Sequence, residues 1–492
     1  MIPVGEFLPD GSAFEGAGAA EALNVIPAAR SYRSLRSLVA SGAPASTSRI
    51  QGGTTLRSTD LTVKSFCGDA TKLHGFDGST WSDYSRTSGG AYNTPTQGQW
   101  RFAQFGDACL AVNGSDAVQS IVMAAGTNFA AQSGSPPAGS RYVAVVRDVV
   151  VVGRDGSNSN RVSWSDVENL DWTAGAADIQ DMPDGGQIMG LFGGDNLVVL
   201  QERCIRLGIR TDYPLTFTFD KIAQDKGCLA EWASAQHENL LFFLAHDGFY
   251  LLAAGQQLTP IGAEKVDRFF FEHPEHGVDL NNLHRVTGAV DPVNKLYMVS
   301  YPSIGGGTGN PDKALIYNWQ LGRWSRAEFG CDLLLSAMVQ SSWNLDNIDT
   351  LIGNLDATSL SLDDPAFTGS GRLFLAAFTS SHALGFFNGS SLAAVVETGE
   401  AQLTPGRRSL VTGIRPLVDG GNGRADAAVM LGSRNRLGES VAYGPAVAMN
   451  GNGNCPMRQD ARFHRVRIRL EAGADDAHIL GIEPEFQASG TR

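Results

Sequence analysis

Short apolar runs recur along the chain, each followed by a polar turn and a second apolar run. The sharpest example is NLLFFLAHDGFYLLAAG (239–255), where Leu240–Ala245 and Phe249–Ala254 flank His246, Asp247 and Gly248. Asp247-Gly248 predicts a tight hairpin, because both central positions of a type I′ turn need positive φ. Both faces of each run are apolar, which predicts strands covered on two sides. The unit repeats in Thr71–Arg86 around Asp77-Gly78 and in Ala108–Met123 around Asn113-Gly114. It repeats again in Tyr142–Ser165, in Gly190–Ile209 around Gly194-Asp195, and in His284–Pro302 around Asp291–Asn294. Lys313–Phe329, turning near Gln320–Gly322, and Asp349–Asp364 complete the series.

The strand clusters begin near residues 73, 109, 149, 197, 241, 296 and 351, in steps of about 36 to 55 residues. Strand-only repeats of this length predict a β-propeller. The expected fold is therefore all-β: a propeller of five to seven blades over residues 49–375. A set of β-sandwich domains is the alternative. After Leu373 the spacing shortens, and 376–492 reads as a separate antiparallel sheet or sandwich. Within it, Val466, Ile468 and Leu470 alternate with Arg465, Arg467 and Arg469. Residues 1–48 carry weak signals and are expected to form an arm packed on the carboxy-terminal domain.

Composition fits this pattern. The 58 glycines among 492 residues exceed the usual share of about 7% and follow no collagen period, so they belong to many turns. No run reaches the roughly 18 apolar residues of a spanning helix, and the amino terminus lacks the pattern of a secretion leader. The net charge of −13 argues against a non-specific duplex binder, which would carry a basic stripe. Six scattered cysteines (Cys67, Cys109, Cys204, Cys228, Cys331, Cys455) without a C-x-x-C predict buried reduced thiols.

Candidate chemistry is sparse. There is no G-x-S-x-G, P-loop or H-E-x-x-H. Gly305–Asn310 lacks the lysine and helix of a phosphate loop. His273 and His276 in HPEH have no third ligand nearby in sequence. FDGSTW (76–81) resembles the Asp-box turn of sialidase-type propellers, with its spacing altered, and Ala314–Arg326 resembles a kelch hairpin with Tyr317 and Trp324 as packing aromatics. Both are scaffold elements. A glycosidase would need two facing carboxylates, for which Glu202, Glu231 and Asp220 are the candidates. Asn113 and Asn388 match glycan acceptors but read as turns. Two basic sets remain, Arg30/Arg33/Arg36 and Arg465/Arg467/Arg469, which would form one assembly surface if the termini converge.

Several stretches, in order, resemble the tail nozzle (tail hub, tail tubular) proteins of short-tailed bacteriophages. They include ALNVIPAARSYRSL, RVSWSDVENLDWTAG, GGDNLVVLQERCIRLGIRTDYPLTFTFDKIAQDKGCLA, ENLLFFLAHDGFYLL, PIGAEKVDRFFF, RVTGAVDPVNKLYMVSYP, ALIYNWQLGRWSR and RFHRVRIRLEAG, across roughly residues 22–480. The resemblance implies a structural virion protein of the phage tail, made in the host cytoplasm. It implies a homo-hexameric tube below portal and adaptor, a lumen that passes double-stranded DNA without specific binding, and a plug or needle and tail fibres or tailspikes as partners. It implies no catalytic, cofactor-binding or metal-binding residues and no cofactor. A virion-borne or secreted carbohydrate-active propeller is the alternative.

Overall fold

The computed structural model describes all residues except 12–17, 61, 78–79, 212–214, 339–372, 421–426 and 491–492. The expected hairpin at Asp349–Asp364 lies outside the described residues, and the Asp77-Gly78 turn lies partly outside them.

The apolar runs pair into seven four-stranded antiparallel units. Their first strands are Gly53–Arg57, Arg101–Phe105, Tyr142–Val146, Ile188–Phe192, Ala235–His237, Thr287–Asp291 and Cys331–Met338. These first strands contact one another in order except at the fourth and fifth, and the seventh returns to the first. Between the fourth and fifth units the link is a hydrogen bond from Gln236 Nε2 to the Gly193 carbonyl, 2.7 Å. The chain is thus a closed β-propeller of seven blades. The fifth blade shows what fills the gaps between blades. Leu241 and Phe243 pack on Leu200 and Leu207 of the fourth, while Phe242 stacks on Tyr297 of the sixth at 4.7 Å.

The hairpin at 239–255 forms as expected, and only its turn is corrected. Its strands, Leu240–Ala245 and Gly248–Ala253, are the two middle strands of the fifth blade. The turn residues are His246 and Asp247, because Ala245 pairs with Gly248. Of the residues at this turn only Gly248 has positive φ, +141°, and a Cβ there would run into the Asp267 carboxylate. Close approach fixes the glycine rather than a type I′ turn.

The seventh blade moves the expected domain boundary at 375/376. Its strand Leu373–Thr379 crosses that point, and Leu384–Phe386 follows. The outermost strand, Val39–Ala40, comes from the other end of the chain and pairs with Gly385 and Phe386. The segment 1–48 is therefore divided between two bodies.

The remainder forms a sandwich. One sheet orders Cys455–Ala461, Ser409–Asp419, His478–Ala488, Tyr32–Ser34 and Val25–Pro27, with Ile2–Pro3 added on His478–Ala488. The other orders Gly18–Leu23, Ala394–Thr398, Phe463–Leu470 and Ala427–Arg434. Val396, Val411, Ile414, Val429, Ile468 and Ile479 fill the space between them. The second sheet does not stop there. Leu23 pairs in parallel with Arg326 on the outer strand of the sixth blade, so blade and sandwich share one eleven-stranded sheet.

The arm also clamps the short helix Asp267–Glu272. Asp10 accepts hydrogen bonds from the Arg268 and Phe269 backbone N–H groups at 2.8 and 2.6 Å. Beside it, burial pushes the Asp267 carboxyl up to about 7, with Asp10 and Asp247 adding repulsion against the hydrogen bond from Phe249 N. The fold favours the neutral acid. That stabilisation is full below the ordinary value of 3.8 and is lost as pH rises through about 7. Asp267→Asn is therefore expected to melt higher than the parent at about pH 8, with the difference much smaller at about pH 5 and closing only below 3.8. Thermal melts at the two pH values check this, and equal melting of the two proteins at the higher pH would refute it.

Candidate functional site

The channel enclosed by the seven first strands is the natural concavity of this fold. It has one lobe of about 230 Å³ reaching Thr54, Arg101, Ala289 and Leu334. Another, of about 360 Å³, lies against Arg101, Val143 and Phe192. Arg101 and Phe102 reach both lobes.

At the channel, three chain segments that enter or follow blade strands meet. Glu231 sits in the short turn Glu231–Ala233 before the fifth blade. Its carboxylate accepts from Arg141 Nε at 2.6 Å, from the Tyr142 hydroxyl at 2.6 Å and from Arg154 at 3.0 Å. The next residue, Trp232, is 2% exposed and carries two guanidinium groups over its ring, Arg101 at 4.7 Å and Arg141 at 5.0 Å. Its indole N–H has no acceptor among the described residues. Burial holds the Arg101 guanidinium below its ordinary pKa, with Tyr142 and Glu231 opposing. Burial likewise drives the Tyr142 phenol well above its usual range, with Glu231 adding to the effect, so the hydroxyl stays a donor.

The three carboxylates considered for hydrolysis sit in different surroundings. Glu231 is occupied as described. Glu202, in the turn between Leu197–Gln201 and Cys204–Arg210, accepts from the Gln187 side chain and, at 3.3 Å, from its backbone. Asp220 is exposed on the outermost strand of the fourth blade, Phe217–Gln224.

The two basic sets do not meet. Arg33 lies on one sheet of the sandwich and bonds Asn294 at 3.4 Å, and Arg36 pairs with Asp476. Arg465, Arg467 and Arg469 lie on the other sheet, on the face turned from its core, because Val466, Ile468 and Leu470 take the inner positions. Arg467 and Arg465 share Glu397, itself 3% exposed, and Arg467 also stands over the Tyr443 ring at 4.3 Å. Arg326 continues this face with Glu21 and Glu328. A charged ladder thus crosses the junction of blade and sandwich. Arg30 is exposed.

His273 and His276 stack at 4.6 Å, and His273 Nδ1 accepts from the Glu275 and His276 backbones. Among the described residues no three His, Cys, Asp or Glu side chains cluster for a metal. Asn113 is buried and accepts from Ser115 and Asp116 backbone N–H groups, the bonding of a turn. The six cysteines are buried and unpaired, and burial pushes Cys228 and Cys331 up to about 12. Trp81 packs on Phe76 and Phe378, and Tyr317 on Trp324, as scaffold aromatics. Sequence patterns missed Arg101, Arg141, Arg154 and Trp232, since no motif spacing joins them.

No family model and no curated protein matches the chain. Solved structures with related architecture include a B. thetaiotaomicron extracellular domain described as part of a hybrid two-component system (10% identity, TM-score 0.41, 63% of this chain). This chain spans only 35% of that relative's length. The Neurospora crassa Pan2 WD40 domain is similar at 9% identity and TM-score 0.36, over 63% of this chain and 90% of that one. The computationally designed Ika8 protein is similar at 12% identity and TM-score 0.35, over 70% and 97%.

Proposed function

We propose that the chain is a structural protein of a phage virion, the tail nozzle, acting as a homo-hexameric ring beneath the portal and adaptor. The observation that carries this reading, beside the sequence resemblance, is the eleven-stranded sheet joining the sixth blade to the sandwich. A shared sheet has no linker in which to bend. It suits a part that must keep two bodies aligned while a genome passes. Rings of this kind close through heterologous contacts repeated by rotation.

The net charge of −13 supports passage without phosphate contacts, each of which would hold the duplex back. The propeller's own channel, with lobes of a few hundred Å³, is too small for a duplex whose major groove alone is about 12 Å wide. In this reading the conduit is the axis of the ring, between copies. Adaptor, tail fibres or tailspikes, and a plug or needle are its partners, and no cofactor takes part. The occupation of the Glu231 carboxylate by three donors favours this role over glycan hydrolysis, which needs a free facing pair.

Negative-stain images of the purified full-length protein, and of particles from a host producing it, test the reading. A six-fold ring, free or at the tail, is expected. A protein that stays monomeric and never enters particles would overturn it.

A further inference from the structure

Beside Ser115 of the second blade, the third blade carries a cleft of about 440 Å³. Its other walls are the segment 137–139 ahead of the blade, the turn 155–157, and Arg161, Ser163 and Ile179. Strand register fixes which side chains face it. Ser163 pairs with Val152 on one side and with Ile179 on the other, so the three share one face of the sheet. Val152 packs with Val112 and Val118 of the second blade, so this is the face turned towards that blade. Arg161, two residues before Ser163, takes the same face. Valines fill the inner part of the gap between the blades, whereas the part at the cleft carries a serine and an arginine.

The polar groups here keep unused capacity. Ser163 is 2% exposed, and its hydroxyl has no partner among the described residues. Burying a hydroxyl without a partner is costly. Asp155 bonds through Oδ1 alone, to Ser157 N at 2.8 Å, the Ser157 hydroxyl at 2.7 Å and Asn158 N at 2.7 Å. Its Oδ2 has no hydrogen-bond partner among the described residues. Arg161 gives Nε and Nη2 to Asp181, at 2.7 and 3.0 Å, which leaves Nη1. Asp181 chiefly, and Asp155 as well, hold the Arg161 guanidinium above its ordinary pKa. A carboxylate oxygen and a guanidinium nitrogen thus stand near each other without a direct bond.

This pairing narrows the ligand. An anion would meet Asp155 and a cation would meet Arg161, so neither is favoured. A neutral molecule with adjacent hydroxyls suits both, since a hydroxyl donates to the carboxylate and accepts from the guanidinium. Ile179 supplies the apolar contact: it is 52% exposed in a strand whose other members are Asp178, Gln180 and Asp181. Apolar surface outweighs polar surface in the cleft, and its volume lies within the roughly 300–1,000 Å³ of small-molecule sites.

We infer that this cleft binds a neutral pyranose through two adjacent hydroxyls, one donating to Asp155 Oδ2 and one accepting from Arg161, with a C–H face of the sugar against Ile179. The site belongs to a single copy and does not depend on whether copies assemble into a nozzle. It lets the protein hold a sugar without cleaving it.

Ligand-detected NMR on the intact protein tests this, with D-glucose, D-galactose and D-mannose as probes. Cyclohexanol serves as the ring without adjacent hydroxyls, and acetate as the anion. At least one hexose is expected to saturate with a Kd below about 10 mM, about tenfold tighter than cyclohexanol or acetate. Methyl glycosides separate the two sources of such a ring: a chain-terminal sugar binds as well when methylated, and a free sugar does not. Asp155→Asn keeps an oxygen for the turn and exchanges the unused acceptor for a donor. It is expected to melt like the parent and to weaken the hexose about tenfold. If it melts early, Ile179→Gln, at an exposed position, takes its place, with an expected loss of about threefold or more. The proposal falls if no hexose saturates below about 50 mM. It falls equally if cyclohexanol or acetate binds as tightly as the best hexose, or if the folded variant keeps full affinity.

Discussion

Removing residues 1–41 is expected to yield a chain that does not fold cooperatively. The segment contributes the outermost strand of the seventh blade, Val39–Ala40, and the strand Gly18–Leu23 that lies between the sixth blade and Ala394–Thr398. It also supplies Tyr32 and Phe7, both essentially inaccessible. The Tyr32 hydroxyl accepts from Phe7 N at 2.9 Å, and Arg323 stands over its ring at 4.7 Å. Losing one large buried aromatic costs about 3–5 kcal/mol, and domains of this kind are stable by only about 5–15 kcal/mol. Two such rings, about 6–10 kcal/mol together, take up most of that margin before the lost strand pairings are added. Soluble yield and a thermal melt followed by circular dichroism measure the effect. A truncated protein with a sharp, parent-like transition would mean that the segment is only decoration.

Phe243→Asp has a comparable effect from a single atom group. Phe243 is 0% exposed on a middle strand of the fifth blade, and its ring stacks on Tyr250 at 5.9 Å. The variant loses about 3–5 kcal/mol of ring packing. It also places a carboxylate in an apolar gap, which costs several kcal/mol more. The expected result is insoluble protein or loss of the near-ultraviolet signal. Phe243→Leu keeps an apolar side chain of smaller volume and should fold, with a loss of about 1–2 kcal/mol. A soluble, folded Phe243→Asp would contradict the packing of the fourth blade on the fifth.

Much of the propeller was legible because its middle strands are apolar on both faces and its turns carry their own chemistry. Asn113, Asp291 and Asn318 each accept backbone N–H groups two and three residues on, so their turns could be read locally. Outer strands were not legible. Asp178–Asp181 is exposed at every position and Ala130–Ala131 is two residues long, so neither leaves a hydrophobic period. The boundary at 375 failed for a related reason. Leu373–Thr379 has the texture of either body, and only its pairing with Cys331–Met338 assigns it to the seventh blade. The arginine alternation at 465–469 was visible, whereas its partner Glu397 lies 68 and 70 residues away from Arg465 and Arg467. Arg101 left no local trace at all, because its environment is assembled from segments near 101, 141, 154 and 231 that only the closed ring brings together.

Closure of the seventh blade also sets a timetable. Ser41 bonds the Leu384 carbonyl, 343 residues away along the chain, and such remote pairings must overcome a large loop entropy before they return any stabilisation. During synthesis the first six blades can stack as they emerge, but Val39–Ala40 must wait for a partner that is made much later. Once made, Leu384–Phe386 is an open strand edge until Val39–Ala40 joins it, the kind of surface on which nascent chains pair wrongly. The slow step in maturation of this protein is therefore expected to be the meeting of its two ends.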